Sequence, residues 1–241
     1  MLIDVNPSAA LIPASNMKLV VAYAALKLLG PDYTFNTSAR GVVDGAQIIG
    51  DLFIVGGGDP VLVTSDYPAR EFFPTIHQTK AEDLVDAIVS RGITTITGSV
   101  VGDESRYDTE RYSPNLGLGI RGTEVGPLGA LMVSDGTLAT SPIKPDQPAL
   151  AAATELTRLL TERGVTIGGP PQTGVVGAEV GHADGHAGVA VVVGASHFDP
   201  DVATEFSPFI AERIILRPEL LQIVYLIVKK IIDFFFGNRV K

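Results

Sequence analysis

A mixed α/β fold, or an α+β arrangement, is predicted by three features of this 241-residue chain. Helical stretches alternate with β-rich runs along it. Apolar residues make up 46% and charged ones 19%, a balance that builds a core rather than a disordered coil. Cysteine is absent, which excludes a disulfide framework, thiolate chemistry and Cys-based zinc sites.

Residues 16–29 (NMKLVVAYAALKLL) hold no Gly or Pro and read as a helix stopped by Gly30-Pro31. Their apolar residues run almost all the way round, the pattern of a helix buried on most sides. YTFNTSARG (33–41) and QIIGDLFIV (47–55) read as strands separated by the turn signal Asp44-Gly45. Gly56-Gly57-Gly58-Asp59-Pro60 ends the second run; no G-K-[ST] follows, so a turn is favoured over a phosphate loop. Residues 81–91 place Leu84, Ala87 and Ile88 on one helical face before Gly92. ITTITGSVVG (93–102) follows as a β run. Residues 147–163 form a second amphipathic helix (Leu150, Leu156, Leu159, Leu160) ended by Gly164. VTI (165–167) and VAVVV (189–193) read as short strands.

The last 41 residues differ in composition, with one glycine, seven isoleucines and five phenylalanines. Their longest uncharged stretch, Leu220–Val228, is far short of the roughly 20 apolar residues of a bilayer span. An interfacial helix giving weak membrane-surface contact and a helix docking on a partner surface both fit this tail. The chain carries 27 acidic and 18 basic side chains, and its net charge of −9 argues against nucleic-acid binding.

One motif carries chemistry. Ser15-Asn16-Met17-Lys18 opens the first helix, and positions i and i+3 at a helix start share a face. A serine hydroxyl is a weak nucleophile until a base removes its proton, and a lysine serves as that base only when neutral. An apolar helix and the positive end of its dipole both disfavour the Lys18 cation. The alternative is an N-cap serine beside a surface lysine. Against it, a capping box prefers Glu or Gln where Lys18 stands.

Other candidates weigh less. Asp103, Glu104 and Asp108 read as a solvated acidic loop. His182 and His186 have a metal-like spacing but lie in a Gly-rich loop with no third ligand, so no metal and no cofactor is expected. His77 and His197 are isolated.

Four blocks in order carry a family resemblance: LIPASNMKLVVAYAALKLLGPDYTFNT (11–37), GDLFIVGGGDPVL (50–62), the run from GITTITGSVVGDESRYD through EVGPLGALMVSDGT (92–137), and AAATELTRLLTERGVTIGG (151–169). Residues 5–175 or so resemble the penicillin-binding D-alanyl-D-alanine carboxypeptidase/endopeptidase family (low-molecular-mass class C, peptidase family S13). The resemblance implies a penicillin-binding transpeptidase, β-lactamase-like domain interrupted by inserted α/β accessory domains. Residues 1–40 would be the first piece of the catalytic domain, 41–200 the inserted domains and 201–241 an atypical tail. It implies Ser15 as acyl-forming nucleophile and Lys18 as general base, peptidoglycan stem peptides as substrate, β-lactams as inhibitors and an extracytoplasmic location. The alternative is a non-catalytic fragment that binds peptidoglycan or a protein partner.

The family's second and third motifs are S-x-N and K-[ST]-G. Ser113-Pro114-Asn115 spells the first, but within the inserted region, where it reads as coincidence. No K-T-G or K-S-G occurs in the chain; the nearest string, Gln172-Thr173-Gly174, lacks the lysine and follows two prolines in what reads as a loop. No signal peptide is visible, and the chain reads as truncated at both ends. Weak or absent peptidase activity is the expectation.

Overall fold

A computed structural model describes residues 16–30, 33–70, 78–114, 116–123, 125–141, 143–177, 180 and 188–197. The tail from 201 onward, and with it the membrane-contact reading, lies outside the described residues, as do His77, His182 and His186. The described residues fall into two compact units: helix α1 (Met17–Leu29) in the smaller, and everything from residue 33 to 197 in the larger. The mixed α/β class is what the structure shows.

In the larger unit, β1 (Thr34–Asp44) and β2 (Gln47–Val55) form the antiparallel hairpin that Asp44-Gly45 signalled, with Asp44 opposite Gln47 and Gly45 at a positive φ of 58°. After β2 come β3 (Leu62–Val63), the short helix α2 (Tyr67–Arg70), β4 (Thr79–Lys80) and helix α3 (Ala81–Val89). The chain then returns through β5 (Thr95–Ile96) and β6 (Val100–Asp103), both parallel to β2. Helix α4 (Pro148–Glu162) crosses to β7 (Thr166–Ile167) and β8 (Gln172–Thr173), parallel to β5 and β6. Strand β9 (Gly188–His197) closes the other edge, antiparallel to β1. Parallel neighbours require such crossovers, and helices are the usual way to make them.

The single β run expected over 93–102 is split in two. Thr97-Gly98-Ser99 interrupts the regular pairing while keeping backbone bonds to β2, and side chains complete the join. Thr97 Oγ1 accepts from the Gly50 amide (2.7 Å), and Asp51 Oδ1 accepts from the Ser99 amide (2.8 Å). The side chains thereby satisfy backbone groups that the ladder would otherwise pair.

The core lies between the sheet and α3 with α4. Ile48, Leu52 and Ile54 point to it from alternate positions of β2, and Ile96 and Val100 from the neighbouring strands. Leu84, Val85 and Ile88 of α3 and Leu156, Leu159 and Leu160 of α4 meet them at helical spacing. Each such side chain, fully buried, contributes roughly 1.5–3 kcal/mol. Helix α3 starts with Glu82 and Asp83 against its positive end, and α4 starts on Pro148. Gly92 (φ 82°) and Gly164 (φ 83°) follow the two helices in the left-handed conformation that stops them.

Candidate active site

Ser15 lies outside the described residues, and α1 begins two residues later. Asn16 occupies the N-cap position with helical backbone angles (φ −62°, ψ −22°) and makes no side-chain cap hydrogen bond. Lys18 therefore sits in the first helical turn, half-buried, and that turn contains no carboxylate. The expected burial on most sides is only partly realised. Ala24 is fully buried, Ala22 and Lys27 are exposed, and the described valines and leucines of α1 are half-buried. Gly30 ends the helix, its amide donating to the Leu26 carbonyl at 3.0 Å.

The lesser motifs resolve into structural roles. In Gly56–Pro60 the Gly56 and Gly58 amides donate to the Asp103 and Ala130 carbonyls (2.9 and 2.8 Å), and Asp59 Oδ1 accepts from the Val61 amide. The segment is a buried turn whose Gly56 and Gly58 amides face protein carbonyls, not an anion. Ser113 is exposed in a loop of the larger unit, and Asn115 lies outside the described residues. Gln172-Thr173-Gly174 is not a loop: Gln172 and Thr173 form β8, because parallel pairing with β6 captures the segment despite its two prolines. The Gln172 amide nitrogen donates to Ser99 Oγ at 2.9 Å.

The reading of Asp103, Glu104 and Asp108 as a solvated loop needs correction. Asp103 is 1% exposed. Its two carboxylate oxygens each accept from a backbone amide at 2.8 Å, that of Ser105 and that of Val176. Glu104 forms a two-point ion pair with Arg111, which also donates to the Leu128 carbonyl. Only Asp108 is exposed, capping the Glu110 amide in a local turn. One partner of Asp103, the Val176 amide, lies 73 residues on, which charge spacing alone does not reveal. Among the described residues no group of three or more His, Asp or Glu side chains is placed to hold a metal. No helix among them is long and apolar enough to cross a membrane.

Two features escaped the sequence reading. Lys144 and Asp135 form an ion pair with side chains only 9% and 3% exposed. Asp135 and its neighbour Ser134 adopt left-handed backbone angles (φ 57° and 53°). The second feature is a pair of tyrosines. Burial pushes the Tyr107 hydroxyl up to about 12, with Arg106 pulling the other way. Burial, then the hydrogen bond to Asp146 (3.0 Å), pushes Tyr112 up to about 12 as well, against the Arg121 guanidinium 5.1 Å from its ring. A tyrosine whose folded pKa lies above its unfolded value near 10 contributes stability that is complete below pH 10 and lost as pH rises toward 12. In a spectrophotometric alkaline titration, two of the six tyrosines should therefore ionise late, and unfolding free energy should fall between about pH 10 and 12. Six tyrosines titrating together near pH 10 would contradict this.

Comparison with known proteins completes the picture. A D-alanyl-D-alanine carboxypeptidase from Actinomadura sp. (strain R39) is 34% identical over 103 residues, 42% of this chain. That segment is only 16% of the relative's length. The crystal structure of penicillin binding protein 4 from Haemophilus influenzae superposes on 93% of this chain and 58% of its own, with a TM-score of 0.58 and 14% identity, which is a likeness of fold. The model of the D-Ala-D-Ala carboxypeptidase 3 (S13) family matches residues 1–156, so the chain belongs to the S13 family.

Proposed function

We propose that the chemistry of this chain is acyl transfer at Ser15, in the manner of a serine-type D-Ala-D-Ala carboxypeptidase/endopeptidase acting on peptidoglycan stem peptides. The observation that carries the proposal is the family match spanning Ser15-x-x-Lys18, with Lys18 in the first turn of α1. Ser15 Oγ attacks the carbonyl of the D-Ala-D-Ala bond while Lys18 takes its proton. The terminal D-alanine leaves with a proton, and water then hydrolyses the ester. A β-lactam presents a carbonyl in place of the peptide and acylates the same oxygen; the solved relative's name, a penicillin binding protein, supports this. Peptidoglycan as substrate supports an extracytoplasmic site of action.

In this reading α1 and the residues before it belong to the catalytic domain, and the larger unit is an inserted accessory domain. The chain's 241 residues contain no K-T-G or K-S-G, and its S-P-N string lies in the larger unit rather than with α1. Groups that act as a unit lose most of their rate when one is missing. The chain by itself should therefore be acylated slowly and turn over weakly or not at all. That same absence favours a second reading, in which the chain binds peptidoglycan or a protein partner without turnover.

The test is incubation of the purified, folded chain with a fluorescent penicillin, beside Ser15→Ala. Slow labelling that disappears in the variant is the expected result. Labelling that persists in Ser15→Ala would remove the nucleophile assignment, and labelling at the rate of an intact penicillin-binding enzyme would remove the argument from the missing motif.

A further inference from the structure

The larger unit contains a cavity of about 450 Å³ whose lining includes Asn36, Ser38 and Arg40 of β1, Gly56 after β2, and Ser105 and Arg106 after β6. Its size suits a ligand between an amino acid and a short peptide. Its charged lining residues are both arginines, in a chain of net charge −9.

Carboxylate pairing divides the cations of the larger unit into two groups. Arg111, Lys144, Arg158 and Arg163 each hold a carboxylate partner. Among the described residues, neither Arg40 nor Arg106 has one. Arg40 is half-buried, and its Nε donates only to Ser38 Oγ, at a long 3.4 Å. Strand β9, which places Ala190 opposite Arg40, contains no acidic residue. A guanidinium partly removed from water without a counter-charge is costly to hold, and an oxyanion with its lone pairs facing the fork offsets that cost. The Ser38 and Ser105 hydroxyls and the Asn36 amide add neutral donors to the same lining.

We propose that this cavity is an oxyanion-binding subsite of the accessory unit, taking a small molecule through a carboxylate or phosphate held by Arg40 and Arg106. The lining named here belongs to the larger unit and includes no residue of the Ser15 motif, so the subsite stands whether or not the chain is acylated. Calorimetric titration of the full chain at low ionic strength, with glutarate and with inorganic phosphate as separate probes, tests it. Saturable binding of at least one probe is expected, weakened about tenfold in Arg40→Gln and in Arg106→Gln and unchanged in Arg91→Gln, an exposed arginine elsewhere. Glutarate alone would assign a carboxylate ligand, phosphate alone a phosphorylated one, and either supports the subsite. Arg106 is exposed, so its variant keeps the fold even if the Arg40 variant does not. Absence of saturation by both probes, or binding by Arg106→Gln equal to the parent's, would overturn the proposal.

Discussion

Replacing Gly57 with alanine is expected to destabilise the larger unit by about 3 kcal/mol or more, a large share of a typical domain's ~5–15 kcal/mol. A Cβ at Gly57 would sit 2.2 Å from the Asn36 carbonyl oxygen, 2.6 Å from its carbonyl carbon and 2.8 Å from its nitrogen. These are backbone atoms of β1, a strand paired on both sides by β2 and β9. No side-chain rotation relieves the clash, so the sheet or the Gly56–Pro60 turn has to shift, and the buried amides of that turn lose their carbonyl partners. Gly117→Ala is the control: nothing lies within 4 Å of its added Cβ and its φ is −58°. Denaturant unfolding should show a large fall in midpoint for the first variant and a change within about 0.5 kcal/mol for the second. Equal midpoints for both would mean that β1 and the glycine turn do not approach as described.

The second large effect is expected at the buried ion pair. Lys144→Met should cost about 3–5 kcal/mol, because it takes the paired ammonium away from the buried Asp135 carboxylate. The surroundings offer little room to relax. Ser134 Oγ accepts from the Thr64 amide at 3.0 Å and shares a hydrogen bond with Thr64 Oγ1 at 2.9 Å. Thr137 Oγ1 donates to the Ser134 carbonyl, and the Lys144 amide donates to the Gly122 carbonyl. Adding Asp135→Asn to Lys144→Met should recover part of the loss, since asparagine removes the buried charge and tolerates the left-handed backbone at this position. A double variant no more stable than the single one would show that the cost lies in the lysine's packing rather than in the buried charge it faces.

Local chemistry made much of the fold legible. Glycines stopped the helices where the left-handed conformation is observed, at Gly92 and Gly164, and Asp44-Gly45 marked the hairpin. The spacing of Leu84 and Ile88, and of Leu156, Leu159 and Leu160, identified core faces that the structure buries. What failed depended on partners distant in the chain. The break at Thr97–Ser99 is held by hydrogen bonds with Gly50 and Asp51, nearly fifty residues away. Asp103 looked solvated because the Val176 amide that one of its oxygens binds lies 73 residues on. Gln172-Thr173 became a strand only because β6 was there to pair with it. The same limit hid the arginine-lined cavity: Arg40 and Arg106 are ordinary in sequence, and only the fold brings them to one lining. For the candidate active site, the tetrapeptide supplied the chemistry, and the structure adds that Lys18 is half-buried on an ordered helix without a carboxylate in its first turn.

The central claim, that Ser15 is the nucleophile, is tested most directly by locating the covalent adduct after prolonged exposure of the folded chain to penicillin, using peptide mass spectrometry. The account predicts a penicilloyl group on the peptide containing Ser15 and none on any peptide of the Ser15→Ala variant. An adduct elsewhere, or one retained in the variant, would contradict it, and a folded chain that forms no adduct at any time would leave the binding reading in its place.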